Sequence, residues 1–153
     1  MAFWRMQLHP NDSENAVKHT TQSLASGFIG LDFANPPGDL TDAVASDIGP
    51  SERDYWEFAH TMMIGDIVLI MAHHYPFAIV RVSGNYNYVR TPVNKIGVWF
   101  RHFREVDEIR YYGDLVTNAS NWERLVMTDT ISILRDPTKA SYRLIEQWLH
   151  SAI

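Results

Sequence analysis

The run "IVLIMA" at residues 67–72 constrains the fold more than any other stretch of the chain, because consecutive apolar side chains suit a strand buried on both faces. It is far too short to cross a membrane, which takes about 20 apolar residues. Gly65 and Asp66 form a turn before it, and "HHYP" forms a second turn into a returning strand, "FAIVRVSG". The pattern predicts a hairpin in the interior of a larger sheet.

Other segments alternate in the same way or show helical spacing. Further strands are predicted at residues 2–9, 28–33, 95–103 and 128–135, and "NYNYVR" (85–90) is expected to extend the returning strand past a bulge. Helices are predicted to begin at Asn11 or Ser13, at Ser51 and at Pro137. Residues 34–50 are predicted to form a long loop, a common place for a binding site. We therefore expect a mixed α/β (α+β) fold, with about six mainly antiparallel strands in a closing sheet flanked by helices, as one domain over residues 1–153.

Charge is segregated along the chain. The formal net charge is −5, which argues against a generally basic nucleic-acid binder. Residues 81–104, however, contain arginines, one lysine and one histidine but no acid. No cysteine is present, so disulfides, thiolate zinc sites and cysteine nucleophiles are excluded, and a cytoplasmic location is expected.

Catalytic patterns are missing from the sequence. It has no Walker loop, nucleophile elbow, HExxH or EF-hand pattern, so we expect no enzyme, no cofactor and no metal. His73 and His74 are adjacent and are expected to be turn residues rather than metal ligands. Other histidines show no spacing that specifies a site and are attributed to chance: His19, His60, His102 and His150.

Several stretches, in order, resemble EVE domains. "FWRMQLHPND" (3–12) is similar to their opening strand, and "MMIGDIVLIMAHHYPFAIVRVSG" (62–84) to their helix ending in "VGD", apolar strand, turn and strand "GIARV". "GNYNYV" and "VWF" also resemble segments of the N-terminal DNA-recognition modules of McrBC-type and Mrr-type restriction systems. The resemblance covers residues 3–135 and is clearest over 56–104. EVE domains and these modules belong with the YTH and PUA domains in one pseudo-barrel superfamily, so the resemblance implies a pseudo-barrel fold.

The resemblance implies a non-catalytic reader that accepts a modified base flipped out of double-stranded DNA into an aromatic pocket. N6-methyladenine is favoured over modified cytosine such as 5-methylcytosine. The implied partners are the motor and nuclease subunits of a restriction system, with no membrane, and the chain would be the N-terminal part of a longer restriction protein. Three alternatives stay open: a reader of modified RNA, an ASCH-like amidohydrolase that uses Lys18 or Lys95 with Asp32, and a protein-interaction domain with a filled core.

A site that holds a flipped base needs a hydrogen-bond acceptor and aromatic rings, and the sequence offers candidates for both. Asp32 can accept a hydrogen bond from an exocyclic amine, and aromatic side chains can stack on the base. The base pocket is predicted to contain Leu31, Asp32, Phe33, Trp99, Asn11 and Asp12. The nucleic-acid backbone is predicted to contact Arg81, Arg90, Lys95, Arg101, Arg104, Tyr86 and Tyr88. The alternative for Asp32 is a turn residue paired with a backbone N–H or with an arginine, and for the cations a solvated strand face.

Overall fold

The computed structural model describes residues 1–8, 13–33, 36–93, 100–127 and 129–151. The strands are β1 (Phe3–Gln7), β2 (Phe28–Leu31), β3 (Ile67–Ala72), β4 (Tyr75–Val82), β5 (Asn87–Tyr88), β6 (His102–Tyr111) and β7 (Ile131–Leu134). The α-helices are α1 (Ala16–Ala25), α2 (Arg53–Trp56), α3 (Gly113–Thr117) and α4 (Ala140–His150). Short 3-10 turns lie at Ser13–Asn15, Ala45–Asp47, Pro50–Glu52 and Ala119–Asn121. A π-helical turn, Glu57–Thr61, continues α2.

The strands form one sheet of seven, curled into a half-barrel. Its order is β2-β6-β4-β3-β1-β7, and β5 pairs with β6 beside this path. β1 and β3 are parallel, with Trp4 opposite Val68, and the other recorded pairs are antiparallel. The predicted fold class, a mainly antiparallel sheet flanked by helices, is confirmed.

β3 is buried on both faces, as its apolar run predicts. Val68 and Ile70 belong to a core cluster that also contains residues of α1 and α2. Leu69 and Met71 point the other way, into a second cluster with Ile145 of α4. Burying each such side chain stabilises the fold by about 1.5–3 kcal/mol relative to exposure. The two layers of helices therefore pack on the sheet through one central strand.

Asp66 joins β1 to the start of β3. Its side chain is buried, with 4% of the residue exposed. Oδ1 accepts a hydrogen bond from the Ala2 N–H at 2.9 Å, and Oδ2 accepts from Trp4 Nε1–H at 2.9 Å and the Met63 N–H at 3.0 Å. A buried carboxylate is tolerated when its lone pairs are used in this way. Asp66, which the sequence pattern places in a turn, therefore links the N-terminal strand and the residue Met63 through buried hydrogen bonds.

Gly30 allows β2 and the start of β6 to approach closely. A Cβ at this position would lie 2.0 Å from Cδ2 of Phe100 and 2.4 Å from the carbonyl oxygen of His102. Real Cβ contacts are not this short, so only glycine lets the Phe100 ring pack directly on the backbone of β2. Phe100 is buried there, with 2% exposed.

Three sequence-based predictions about the elements need correction. β6 extends to Tyr111, well beyond the predicted end at residue 103, because its acidic half pairs with β4. Helical spacing predicts Val17 on the apolar face of α1, but Val17 is 45% exposed, while Thr20 and Ser23 are buried. Helical spacing after Ser51 predicts Met63 on the buried face of that helix, but Met63 is 67% exposed because the π-helical turn already ends at Thr61.

No helix within the described ranges is both long and apolar enough to span a lipid bilayer.

His73 and His74 form the turn between β3 and β4, as predicted.

Replacing Asp66 by alanine is expected to lower the free energy of unfolding by about 2–4 kcal/mol, because the buried Trp4 Nε1–H loses its acceptor. Urea denaturation followed by tryptophan fluorescence measures the loss. The matched control is Asp42→Ala, which removes an exposed carboxylate and is expected to change stability little. Equal effects of the two substitutions would contradict the role assigned to Asp66.

Candidate nucleic-acid interface

Asp32 and Arg101 meet at the end of the β2–β6 pair. Asp32 follows β2 and Arg101 precedes β6, next to the pairing of Leu31 with His102. Arg101 Nη1 donates to Asp32 Oδ1 at 2.9 Å and to Oδ2 at 3.1 Å, and the Arg101 backbone N–H donates to Oδ2 at 3.2 Å. The side chain of Asp32 is 15% exposed and that of Arg101 is 38% exposed. The alternative considered for Asp32, a partner arginine, is therefore what the structure shows.

Phe33 is fixed by Tyr55. The Phe33 N–H donates to the Tyr55 hydroxyl at 2.7 Å, and that hydroxyl donates to the Phe33 carbonyl at 3.2 Å. The two rings stack with centroids 4.8 Å apart. Burial raises the pKa of Tyr55 to about 12, so the hydroxyl keeps its proton at neutral pH. Phe33 is half-buried, so its ring is held against Tyr55 without being fully enclosed.

His102 anchors the loop after β2 from the sheet side. Its Nε2 lies 3.0 Å from the carbonyl oxygen of Pro37, and its Nδ1 lies 2.7 Å from the hydroxyl of Tyr86. Because a carbonyl can only accept, Nε2 carries the proton and Nδ1 accepts from Tyr86. Burial lowers the pKa of His102, so the ring is neutral at pH 7. The Tyr86 hydroxyl in turn accepts from the Leu40 N–H at 3.1 Å.

His60 completes the anchoring. Its Nε2–H donates to the Leu40 carbonyl at 2.6 Å, and its ring stacks on Trp56 with centroids 4.1 Å apart. Leu40 is therefore held through both of its backbone polar groups. Attributing His60 and His102 to chance was wrong; both bind loop backbone. His102 lies two residues from Phe100 on the same strand face, and that alternation was the available signal.

Of the other predicted base-pocket residues, one is buried in the core and three lie outside the described residues. Leu31 is 1% exposed and belongs to the hydrophobic core, so its assignment to a pocket wall is wrong. Trp99, Asn11 and Asp12 lie outside the described residues. Their place in a pocket stays a prediction.

The cations predicted to contact the nucleic-acid backbone differ in their exposure and in their partners within the protein. Arg104 is 3% exposed and donates to backbone carbonyls, so it does not lie on an exposed face of the sheet, where a contact with the nucleic-acid backbone was expected. Arg81 forms a bidentate pair with Asp107, at 3.0 Å from Nη2 to Oδ2, and a further contact with Glu108. Arg90 is exposed, and Lys95 lies outside the described residues.

Tyr86 and Tyr88 lie on the same side of the sheet, since both rings contact His102. The centroid distances to His102 are 5.8 Å for Tyr86 and 5.0 Å for Tyr88. The Tyr86 hydroxyl is used within the protein, and burial raises its pKa to about 12. Both residues are half-buried, so an outward surface of each ring is accessible.

Within the parts of the chain that the structure describes, no group of three or more metal-ligating side chains is arranged to hold an ion.

Comparisons with known proteins are sparse. No protein family matches the chain, and no curated protein matches it. One similar solved structure is the YTH domain of the Zygosaccharomyces rouxii MRB1 protein in complex with N6-methyladenosine RNA, with a TM-score of 0.49 and 11% sequence identity. The alignment covers 99% of this chain and 88% of that chain. At this score the likeness is too weak to assign a fold or a function.

The lowered pKa of His102 predicts acid sensitivity. Below about pH 6.5 an unfolded histidine binds a proton that the folded His102 does not, so stability falls as the pH drops. His102→Gln keeps a donor for Pro37 and an acceptor for Tyr86 but cannot titrate. We expect the loss of unfolding free energy between pH 7.5 and 5.5 to be smaller in this variant, measured by urea denaturation. An unchanged pH dependence would contradict a neutral buried His102.

Proposed function

We propose that this protein binds a single modified nucleobase of a nucleic acid, without catalysis, at the end of the β2–β6 pair, where Asp32 is bonded to Arg101 and is followed in the chain by Phe33. The observation that supports this proposal is the joining of three different groups at one end of the sheet. Asp32 accepts from the cation Arg101, and the aromatic residue Phe33 follows Asp32 directly in the chain, so an acceptor, a cation and a ring come from one end of the β2–β6 pair, each at least partly accessible. These are the groups that a reader of one everted base uses.

Asp32 keeps acceptor capacity despite its partner. A carboxylate offers about four lone-pair sites, and the recorded hydrogen bonds from Arg101 use three of them. The remaining site can accept from the exocyclic amine of adenine or cytosine, and N6-methyladenine keeps one N–H for this purpose. On Arg101, Nε and Nη2 have no recorded partner among the described residues and can donate to a phosphate or a base carbonyl.

The free-energy cost of flipping a base and the gain from binding it are both only a few kcal/mol and have opposite signs. Flipping a base costs a few kcal/mol, and stacking on one aromatic ring returns about 1–3 kcal/mol. Burying a methyl group contributes only about 0.8 kcal/mol. Selectivity for a modified base would therefore be modest, and affinity for the strand would depend on salt through phosphate contacts.

The nature of the strand is open. The sequence resemblance includes readers of modified DNA and of modified RNA. Recognition of RNA therefore stands level with recognition of double-stranded DNA for a restriction system. Restriction motor and nuclease partners, like a cytoplasmic location, remain expectations from the sequence.

The amidohydrolase alternative is less favoured. It requires a lysine that converges with Asp32, but the Asp32 carboxylate is already paired with Arg101. Lys18 is an exposed residue of α1, and Lys95 lies outside the described residues.

Binding of matched oligonucleotides tests the proposal. Single-stranded RNA, single-stranded DNA and duplex DNA would each carry N6-methyladenine, 5-methylcytosine or no modification, with affinity measured by fluorescence anisotropy at two salt concentrations. We expect one modified strand to bind about fourfold or more tightly than its unmodified form, the factor that methyl burial alone supplies. Phe33→Leu keeps an apolar side chain but loses the ring, and is expected to weaken that binding by about fivefold to a hundredfold.

Two control variants separate the site from general effects. Tyr111→Leu removes an aromatic ring that is 41% exposed elsewhere on the sheet. Asp136→Asn makes the same charge change as Asp32→Asn but lies in the turn before α4. We expect Asp32→Asn to reduce discrimination between modified and unmodified strands and both controls to keep it. Equal affinity of the wild-type protein for all strands would reject the proposal.

A further inference from the structure

A pocket of about 420 Å³ lies between the end of the helical segment around α2 and the turn after β4. Its lining includes Met62, Met63, Ile64, Asn85, Tyr86 and Arg104. Its volume falls within the range of small-molecule sites, roughly 300–1,000 Å³. It is separate from the contact between Asp32 and Arg101, since neither residue lines it.

Arg104 is held rigidly in the wall of this pocket. The residue is 3% exposed, and its Nε donates to the Gly84 carbonyl at 3.1 Å. Nη1 donates to the carbonyls of Phe58, at 3.1 Å, and Met62. Acceptors on both sides fix the plane of the guanidinium, so the direction of its remaining donors is fixed as well.

Nη2 of Arg104 is the part of this cation that is not used. It has no hydrogen-bond partner in the described residues. It is not fully buried either, so it keeps access to the pocket. Arg104 also forms no ion pair with a described residue. Asp66 attracts it at longer range, but the Asp66 oxygens accept from three other donors.

A buried guanidinium without a paired anion is costly, because its desolvation is not offset by a close opposite charge. The pocket wall supplies no such charge, since its lining residues include no aspartate or glutamate. Its rim is apolar instead: Met63 is 67% exposed and Ile64 is 56% exposed. The walls therefore suit a ligand with one anionic end and one apolar end.

We propose that this pocket binds the oxyanion of a small organic acid, a carboxylate or a phosphate monoester, through Arg104 Nη2, with the apolar body of the ligand against Met63 and Ile64. The two N–H groups of Nη2 can donate charge-assisted hydrogen bonds to the oxygens of either anion. This inference is independent of nucleobase binding by the site at Asp32.

NMR titration of the full ¹⁵N-labelled chain tests the proposal with three probes: phenyl phosphate, benzoate and neutral benzamide. We expect phenyl phosphate or benzoate to shift the Arg104 Nε resonance and the amide resonances of Met63 and Ile64, while benzamide does not. The anion that binds more tightly identifies the ligand as a phosphate ester or a carboxylate. No shift of these resonances with either anion would overturn the proposal.

Removing Arg104 would also remove three hydrogen bonds, so a variant of the rim is the better mutational test. Asn85→Asp adds a carboxylate to an exposed lining residue and is expected to weaken anion binding about fivefold. Gln22→Glu makes the same charge change on the exposed face of α1 and is expected to leave binding as in the wild type. Equal weakening by both substitutions would mean that the anions respond only to net charge, which would reject a site at Arg104.

Discussion

Side-chain hydrogen bonds to the backbone of the loop after β2 determine the shape of the candidate site. Tyr55 holds Phe33, His102 holds Pro37, and Tyr86 and His60 hold Leu40. Backbone groups of an irregular segment need partners, and here side chains from the helical segment and the sheet provide them. The ring of Phe33 and the carboxylate of Asp32 are thereby placed before any ligand arrives, which lowers the entropic cost of binding.

The pairing of Asp32 with Arg101 changes how the site can work. The sequence suggested separate roles, with Asp32 on the base and Arg101 on the backbone, but in the structure each is the other's partner. The pair has no net charge, so the carboxylate can remain beside a phosphate backbone without the repulsion that an isolated anion would cause. This matters in a chain whose formal net charge is −5. A base amine would use the lone pair that Arg101 leaves open.

The hydrophobic pattern predicted the fold because apolar positions in a sequence correspond to buried positions in the structure. The apolar run of β3 and the helical spacing of α4 could be interpreted without knowing any tertiary contact. The same alternation that turns Phe100 inward also turns His102 and Arg104 inward, so their burial was predictable, but their polar residue type suggested a surface. The contacts of the loop were not predictable. Tyr55 and Phe33, for example, are 22 positions apart, and nothing local in the sequence pairs them. The π-helical turn that exposes Met63 is equally invisible in the sequence spacing.

Amide hydrogen exchange at Phe33 and Leu40 tests most directly whether tyrosine hydroxyls hold this loop, because each of these N–H groups donates to one hydroxyl. The structure predicts that both amides are protected in the wild-type protein, that Tyr55→Phe removes protection at Phe33 alone, and that Tyr86→Phe removes it at Leu40 alone. Exchange of both amides in the wild-type protein at the rate of an unstructured peptide would contradict a preformed site.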